Sequence, residues 1–452
     1  MQNMEQPPTK DRAVSFEEAV SIAIQYQQNE QWRAADEIYQ SILEKAPNYP
    51  AAVHFRGVLA HQQGRSEEAA ALIQRSLELE PDKADWHSNL GIVLRDRLKF
   101  DDAVAAYERA IALDPDHANA YNNLGVVLRA QGKLADAETA YRAAIRVNPR
   151  HSDAYTNLGI LLNAQKRTYE AVLCFCKVIT FRPKHPEARR LLALAHCTLG
   201  EPDKAVRVFE EWLEEEPSNP IALHMLAACS GKDVPDRASD GFVEKTFDGF
   251  AASFDSKLAS LLYRAPTLVS GMLAESEVEP SKSLDVLDAG CGTGLCGPLI
   301  APYARTLVGV DLSTGMLTQA KARNVYDNLF KVELTAYLRD CPGAFDVIVS
   351  ADTLVYFGPL DGVAAAAASA LRPGGRFIFT VEAQIDEESD AGYSISVHGR
   401  YTHSRQYLER VLGCVNLRAE ITAAELRLEA GEPVRGWVVR ATKPTGQGMN
   451  HG

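Results

Sequence analysis

Through the first half of the chain, apolar residues return every three or four positions, the period of helices that bury one face. Prolines punctuate the pattern at Pro47, Pro81, Pro115, Pro149, Pro183 and Pro217, each 34 residues after the last. Twelve residues before each proline stands an alanine (Ala35, Ala69, Ala103, Ala137, Ala171, Ala205). Four residues after each alanine comes a bulky side chain: Tyr39, Ile73, Tyr107, Tyr141, Phe175 and Phe209. Leu-Gly pairs recur at Leu90-Gly91, Leu124-Gly125 and Leu158-Gly159. Each unit reads as two amphipathic helices joined at a tight turn, with the proline stopping the second. Past Gly231 the period stops. After a polar stretch the chain alternates short apolar runs with helical patterns, which predicts a doubly wound α/β half. Strands are predicted at 284–288, 306–311, 329–333, 345–350, 376–381 and 436–442, with an irregular run at 417–428. Helices between them include 314–323, 362–371 and 403–411.

The 34-residue unit resembles the tetratricopeptide repeat. Six repeats fit: 16–49, 50–83, 84–117, 118–151, 152–185 and 186–219, with 221–228 capping the open end. The resemblance implies a right-handed solenoid whose concave groove binds extended peptides. Asn89, Asn123 and Asn157 hold one place in three successive repeats, just before Leu-Gly. Side-chain amides can pair with both N–H and C=O of a peptide backbone. The arrangement is similar to the asparagine ladder of O-linked N-acetylglucosamine transferases, although asparagine also stands here in repeats with no such ligand. Arg95 and Arg129, six residues further on, are candidates for charge in the same groove. His117, His151 and His185 also recur at 34. Adjacent repeats lie on the order of 20 Å apart, too far to share a metal ion, so capping of helix starts is expected.

In the second half the first strand runs into Asp288-Ala289-Gly290-Cys291-Gly292-Thr293-Gly294. Glycine lets the backbone turn sharply and lets a ligand come against it. A dinucleotide site would read GxGxxG, with its pyrophosphate on the helix start. Here the third glycine comes one residue early, and Leu295 stands where that pattern wants glycine. The second strand ends in Val310-Asp311-Leu312-Ser313, placing a carboxylate 21 residues after Gly290, where it can accept from two ribose hydroxyls. Met316 lies one turn into the next helix, and Glu333-Leu334 close the third strand. The fourth strand opens into Ser350-Ala351-Asp352-Thr353-Leu354, and Leu371-Arg372-Pro373-Gly374-Gly375 reverses a helix into the fifth.

Together these features resemble a class I S-adenosylmethionine-dependent methyltransferase with a Rossmann-like fold. The segment Phe247-Asp248-Gly249-Phe250-Ala251-Ala252-Ser253-Phe254-Asp255, with Tyr263-Arg264-Ala265-Pro266, narrows the resemblance to a bacterial family. So do Val355-Tyr356-Phe357-Gly358, Gly399-Arg400-Tyr401-Thr402-His403-Ser404 and Pro433-Val434-Arg435-Gly436. Its members join tetratricopeptide repeats to such a domain. The resemblance implies S-adenosyl-L-methionine as cofactor, held by Gly290, Gly292, Gly294, Asp311, Leu312, Met316, Glu333 and Leu334. Met316 would pack on the adenine, and Glu333 would accept from its amine. Asp288 would orient loop N–H groups, and Arg264 could pair with the cofactor carboxylate.

Composition narrows the function classes. Eight cysteines show no CxxC pair or zinc spacing, so a disulfide framework is not expected and reduced thiols in a cytoplasm fit. A formal charge of −13 disfavours binding to a phosphate backbone. No apolar run approaches a membrane span, and the first residues carry no pattern of a secretory signal. No metal site is expected.

Methyl transfer is an in-line displacement, for which alignment is the main requirement and a base is needed only when the acceptor must lose a proton. Asp352, Tyr356, His398 and His403 are the candidates, with His403 alternatively capping a helix. The expected organisation is an unstructured 1–15, repeats and cap at 16–230, a linker at 231–241, the methyltransferase domain at 242–443 and a tail at 444–452. Three functions remain open at this level: a methyltransferase for a protein or peptide held by the repeats, one for a small molecule with repeats used for assembly, and a non-catalytic scaffold. The acceptor atom and the oligomeric state are not legible.

Overall fold

The computed structural model describes residues 14–275, 280–384, 391–429 and 432–445. The unstructured ends expected at 1–15 and 444–452 fall largely outside them. The chain forms two compact units, one of Met1–Leu162 with Lys177–Pro183, the other of Asn163–Cys176 with Lys184–Gly452.

Thirteen helices come first among the described residues. They are α1 Phe16–Gln28, α2 Trp32–Lys45, α3 Pro50–Gln62, α4 Ser66–Leu79, α5 Ala84–Asp96, α6 Phe100–Leu113, α7 Ala118–Ala130 and α8 Leu134–Val147. Then follow α9 Ser152–Ala164, α10 Thr168–Phe181, α11 Pro186–Thr198, α12 Pro202–Glu215 and α13 Pro220–Ser230. This is the expected pair of helices per repeat plus a cap. A Cβ on Gly91 would lie 2.6 Å from the Tyr107 ring, and one on Gly125 equally close to Tyr141, so glycine is what admits the buried aromatic. The recurring histidines cap helices: Nδ1 of His117, His151 and His185 accepts from the N–H of Ala120, Ala154 and Ala188 at 3.2–3.3 Å.

The α/β part begins with α14 Asp240–Asp248, α15 Phe254–Ser260 and α16 Ala265–Ala274, and continues through β1 Leu284–Ala289, α17 Gly297–Ile300 and β2 Ala304–Asp311. It runs on through α18 Thr314–Ala322, β3 Asn328–Lys331, α19 Leu334–Asp340, β4 Phe345–Ser350, α20 Asp361–Ala370 and β5 Leu371–Ala383. It closes with β6 Tyr393–Ile395, β7 Tyr401–His403, α21 Arg405–Cys414, β8 Arg418–Glu429 and β9 Glu432–Thr442. Strands β3, β2, β1, β4 and β5 lie parallel in that order, and β9 pairs antiparallel to β5 and carries β8. The order reverses between β1 and β4, which opens a crevice at their carboxyl ends. Aliphatic and aromatic residues of both sheet faces are fully buried, among them Leu287, Ile348 and Phe377 on one face and Val286, Val347 and Ile378 on the other.

Three differences from the sequence reading matter. The segment 403–411 was expected as one helix; instead His403 ends strand β7, and Ser404 caps α21. The hairpin β6–β7 exists because β5, with 13 residues, outruns β4 and offers its end, Glu382–Ala383, to β7. The segment 231–241, expected as a linker, is tied to the α/β part. Ala238 N–H donates to Tyr356 O and Gly358 N–H to Asp236 O, both at 2.8 Å, while Arg237 and Phe357 form an isolated bridge.

Candidate active site

The loop after β1 is shaped by its glycines: Gly290, Gly292 and Gly294 have φ of +75°, +53° and +83°, where L side chains are strained. A Cβ on Gly290 would meet Thr353 at 2.2 Å, so the loop and the segment after β4 touch backbone to side chain. A Cβ on Gly292 would meet nothing within 4 Å, so the loop faces open space there. Asp311, at the tip of β2, accepts from Gly292 N–H at 2.9 Å and Ser313 N–H at 2.8 Å. Burial raises its pKa, against the pull of these N–H groups. Its carboxylate thus reaches the loop from the neighbouring strand.

Asp288 is almost wholly buried at the loop's root and accepts from the Tyr326 hydroxyl at 2.6 Å. Burial drives its pKa up to about 7, opposed by Tyr326 and reinforced by Asp311. It does not orient loop N–H groups as expected; among the described residues its bonded partner is that phenol. Met316 and Leu334 are buried beside the crevice, and Leu312 is half-buried. Glu333 spends both oxygens on the N–H groups of Thr335 and Ala336 at 3.0 and 2.8 Å, so it caps α19, and β3 stops at Lys331. That capping replaces the expected strand-end position facing adenine. Arg264 lines a groove of about 690 Å³ between α16 and the β8–β9 hairpin, among residues none of which belongs to the glycine loop. Its neighbour Tyr263 is the one whose surroundings include Asp288, Cys296, Asp352 and Arg427.

Over the crevice lie α14 and α15. Asp248 accepts from Ser313 Oγ and from Gly315 N–H at 3.0 Å, and Asp255 receives Thr293 Oγ1 and the Arg323 guanidinium. Asp248 latches the lid to the start of α18, and Asp255 latches it to the glycine loop.

The other bank of the crevice is ionic. Asp352 sits at φ +53°, its N–H on Thr380 Oγ1 at 2.9 Å and its carboxylate on Arg427 at 2.6 Å. Arg427 also grips Glu382, and Glu429 at 2.7 Å; Arg400 spans the same Glu382 at 2.6 Å and Glu429 at 2.8 Å. Burial pushes Glu429 up, but the two guanidiniums outweigh it and hold its pKa down to about 2. Burial raises Asp352, with Arg427 opposing. The ion pair and Thr380 occupy both Asp352 oxygens, which suits orientation better than proton abstraction. Tyr356 stands among Arg400, Arg427, Asp352 and Glu382, its pKa pushed by burial to about 12.

The two histidine candidates separate. His403 is fully buried with Nε2 on Gly358 O at 2.8 Å, and burial lowers its pKa to about 4. An inaccessible ring holding a loop is no acceptor base, so His403 leaves the candidate set. His398 is exposed in the turn between β6 and β7. That turn is clamped from the cap helix: His224 Nε2 meets Gly399 O at 2.8 Å, and a Cβ on Gly399 would lie 2.9 Å from Met225 Sδ.

Sequence reasoning missed Tyr263, Glu382, Arg427 and Glu429. A β-bulge between Glu425 and Arg427 turns both Leu426 and Arg427 inward, which breaks the alternation a strand advertises. The 261–264 segment bonds to that bulge, Arg264 N–H to Leu426 O and Leu428 N–H to Leu261 O, and so sets Tyr263.

In the repeats, the asparagines are engaged with neighbours. Asn89 Nδ2 lies 3.0 Å from His54 Nε2, Asn157 donates to Asn122 at 3.0 Å, and Asn123 accepts from Asn122 at 3.3 Å. Arg95 pairs with Asp96 at 2.8 Å, and Arg129 is half-buried in the last turn of α7.

The family profile of the methyltransferase domain matches residues 286–375. Tetratricopeptide repeat profiles match 21–84, 88–144, 127–178 and 186–229. Methyltransferase-like protein 27 of Homo sapiens is 37% identical over 138 residues, 30% of this chain and 54% of that protein. Ubiquinone biosynthesis O-methyltransferase of Brucella melitensis is 29% identical over 157 residues, 33% of this chain and 62% of that protein. The chain therefore spans between about half and two thirds of these relatives. The solved structure of MamA shares 25% identity at a TM-score of 0.33, covering 36% of this chain and 95% of its own. That of Pseudomonas aeruginosa pilF shares 16% at 0.41, covering 47% and 96%. No helix among the described residues is long and apolar enough to cross a membrane. The chain joins tetratricopeptide repeats to a class I methyltransferase domain.

Proposed function

We propose that the protein transfers a methyl group from S-adenosyl-L-methionine to a protein or peptide held by its repeats. One observation carries the reading: three left-handed glycines open a loop whose middle N–H is held by Asp311 from the adjacent strand tip. The open space over Gly292, the buried carboxylate of Asp288 and the half-buried one of Asp311 fit a cationic nucleoside without phosphates. When bound, the cofactor supplies an electrophilic methyl on sulfur. Gly290, Gly292 and Gly294 shape its floor, Asp311 and Leu312 flank the sugar, and Met316 and Leu334 wall the base. On the acceptor bank Asp352, Tyr356 and His398 orient the nucleophile, and the latched lid excludes water. A tethered repeat groove raises the local concentration of a polypeptide acceptor.

A second reading assigns a small-molecule acceptor. It is favoured by the asparagines' internal hydrogen bonds and by the relative named for ubiquinone biosynthesis. Incubating lysate with methyl-labelled cofactor and separating protein-bound from small-molecule label decides between the two. Label in the protein fraction is expected. Calorimetry with S-adenosylmethionine tests both against a non-catalytic scaffold: wild type binds and Asp311→Ala loses affinity. Binding indifferent to that substitution would mean that the sugar is held elsewhere.

A further inference from the structure

The residue that organises the back of the glycine loop belongs to no motif. Tyr326 lies between α18 and β3, and three glycines make room for its ring. A Cβ on Gly294, Gly297 or Gly309 would come 2.9, 2.9 and 3.1 Å from it. A side chain at the third glycine of the loop would therefore crowd this tyrosine, besides straining the backbone at φ +83°. Around the same ring, Arg323 Nε donates to Thr293 O at 2.6 Å, so the whole 323–326 turn cradles the loop from behind. The Tyr326 hydroxyl points inward and donates to Asp288 Oδ2 at 2.6 Å. No protein donor is paired with Asp288 Oδ1 among the described residues. A nearly buried carboxylate with one oxygen held and the other without a partner is a receptor for a cation.

We infer that Tyr326 is a positioning residue for the cofactor: its hydroxyl fixes the Asp288 carboxylate so that the second oxygen is directed to a cationic group, the ammonium or sulfonium of S-adenosylmethionine. The inference rests on the methyl-donor reading above and deepens it. The charge that makes it work is costly to bury. Asp288 is surrounded by Asp311, Cys291, Cys296, Tyr263 and Tyr326, none of them cationic in that environment, and burial drives its pKa up to about 7. A bound cation favours the ionised carboxylate, so affinity rises with pH and levels off above about 7. The hydroxyl opposes the upward shift, so its removal moves that midpoint higher.

The test uses the full chain, Tyr326→Phe, and S-adenosylmethionine in calorimetric titrations from pH 5.5 to 8.5. Phenylalanine keeps the ring that fills the space under the glycines, so folding is preserved. The expected result is roughly tenfold weaker binding at pH 7, the range for a hydrogen bond to a charged group, with the pH midpoint displaced upward. A variant that only loosened the loop would weaken binding at every pH and leave the midpoint in place, as would Leu295→Ala in the same loop. Equal affinity and midpoint in Tyr326→Phe and wild type overturn the inference. If wild type itself binds no S-adenosylmethionine, the cofactor reading falls and takes this role with it. Urea midpoints of the two proteins between pH 4 and 8, without ligand, then show whether the phenol–carboxylate link exists at all.

Discussion

The two banks of the crevice are built in opposite ways. The donor bank comes from one continuous stretch, 288–294, plus a single acid at the next strand tip, and its precision is a matter of backbone: three positive-φ glycines and a few N–H bonds. The acceptor bank gathers Asp352, Glu382, Arg400, Arg427 and Glu429 from four segments of the chain, and its precision is a matter of side-chain charge. A backbone cradle suits a ligand that never changes. A charge lattice hung on longer strands and a hairpin can be retuned by single substitutions without disturbing the cradle. The contrast supports placing constant chemistry on the first bank and specificity on the second.

The sharpest way to break the contrast is to remove the hub of the ionic bank. Arg427 is 5% exposed and bonded to three carboxylates. Arg427→Met strands the Asp352 carboxylate and leaves Glu382 and Glu429 to share Arg400 alone, and a loss of about 3–5 kcal/mol in urea denaturation is expected. Adding Asp352→Asn and Glu382→Gln should recover part of it, because the stranded charges, not the missing contacts, carry the cost. A loss below about 1 kcal/mol would mean that water already screens this bank.

On the donor bank the corresponding lever is a proton. The folded pKa of Asp288, about 7, lies above its ordinary 3.8, so it favours folding most below about pH 4. That contribution is lost as pH rises through 7. Without cofactor, stability should therefore fall by roughly 2–4 kcal/mol relative to Asp288→Asn across this window. Urea midpoints of the pair at pH 4 and pH 8 measure it, and parallel curves would mean that the acid is hydrated.

Backbone strain comes next. Gly290→Ala forces a side chain into φ +75° and onto Thr353, which costs about 1–3 kcal/mol and should abolish cofactor binding in calorimetry. Retained binding would show that the loop relaxes, and that the donor bank is less rigid than its geometry implies.

How much was legible follows the same division. The repeat helices, the parallel strands and the glycine loop announce themselves through local spacing, because a helix face or a left-handed turn is decided within a few residues. Arg427 could not be found that way. It is buried only because a bulge turns it inward, and its partners lie 75 and 45 residues away. Residue His403 was misplaced because the projecting end of β5 recruits 401–403 into the sheet, an effect of tertiary pairing on a segment that reads as a helix start. Glu333 fits a strand end and a helix cap equally by sequence; only the early stop of β3 gives it to the cap. Arg264 and Tyr263 are neighbours, and which of them faces the crevice is set by hydrogen bonds to β8.

The smallest effect separates two uses of the repeats. Asn157 donates to Asn122 across one repeat, at an offset of 35 residues shared by Gln27–Gln62 and His54–Asn89. Each pair joins one repeat to the next, so its first role is to register one unit on its neighbour. Asn157→Ala should then lower stability by about 1 kcal/mol, the net worth of one such bond, and leave the yield of labelled protein in the lysate assay unchanged. If stability holds while protein labelling falls, the amide faces a ligand and the groove grips its acceptor by the backbone. If both hold, the asparagines are neither ladder nor joint, and the polypeptide acceptor must be recognised elsewhere on the array.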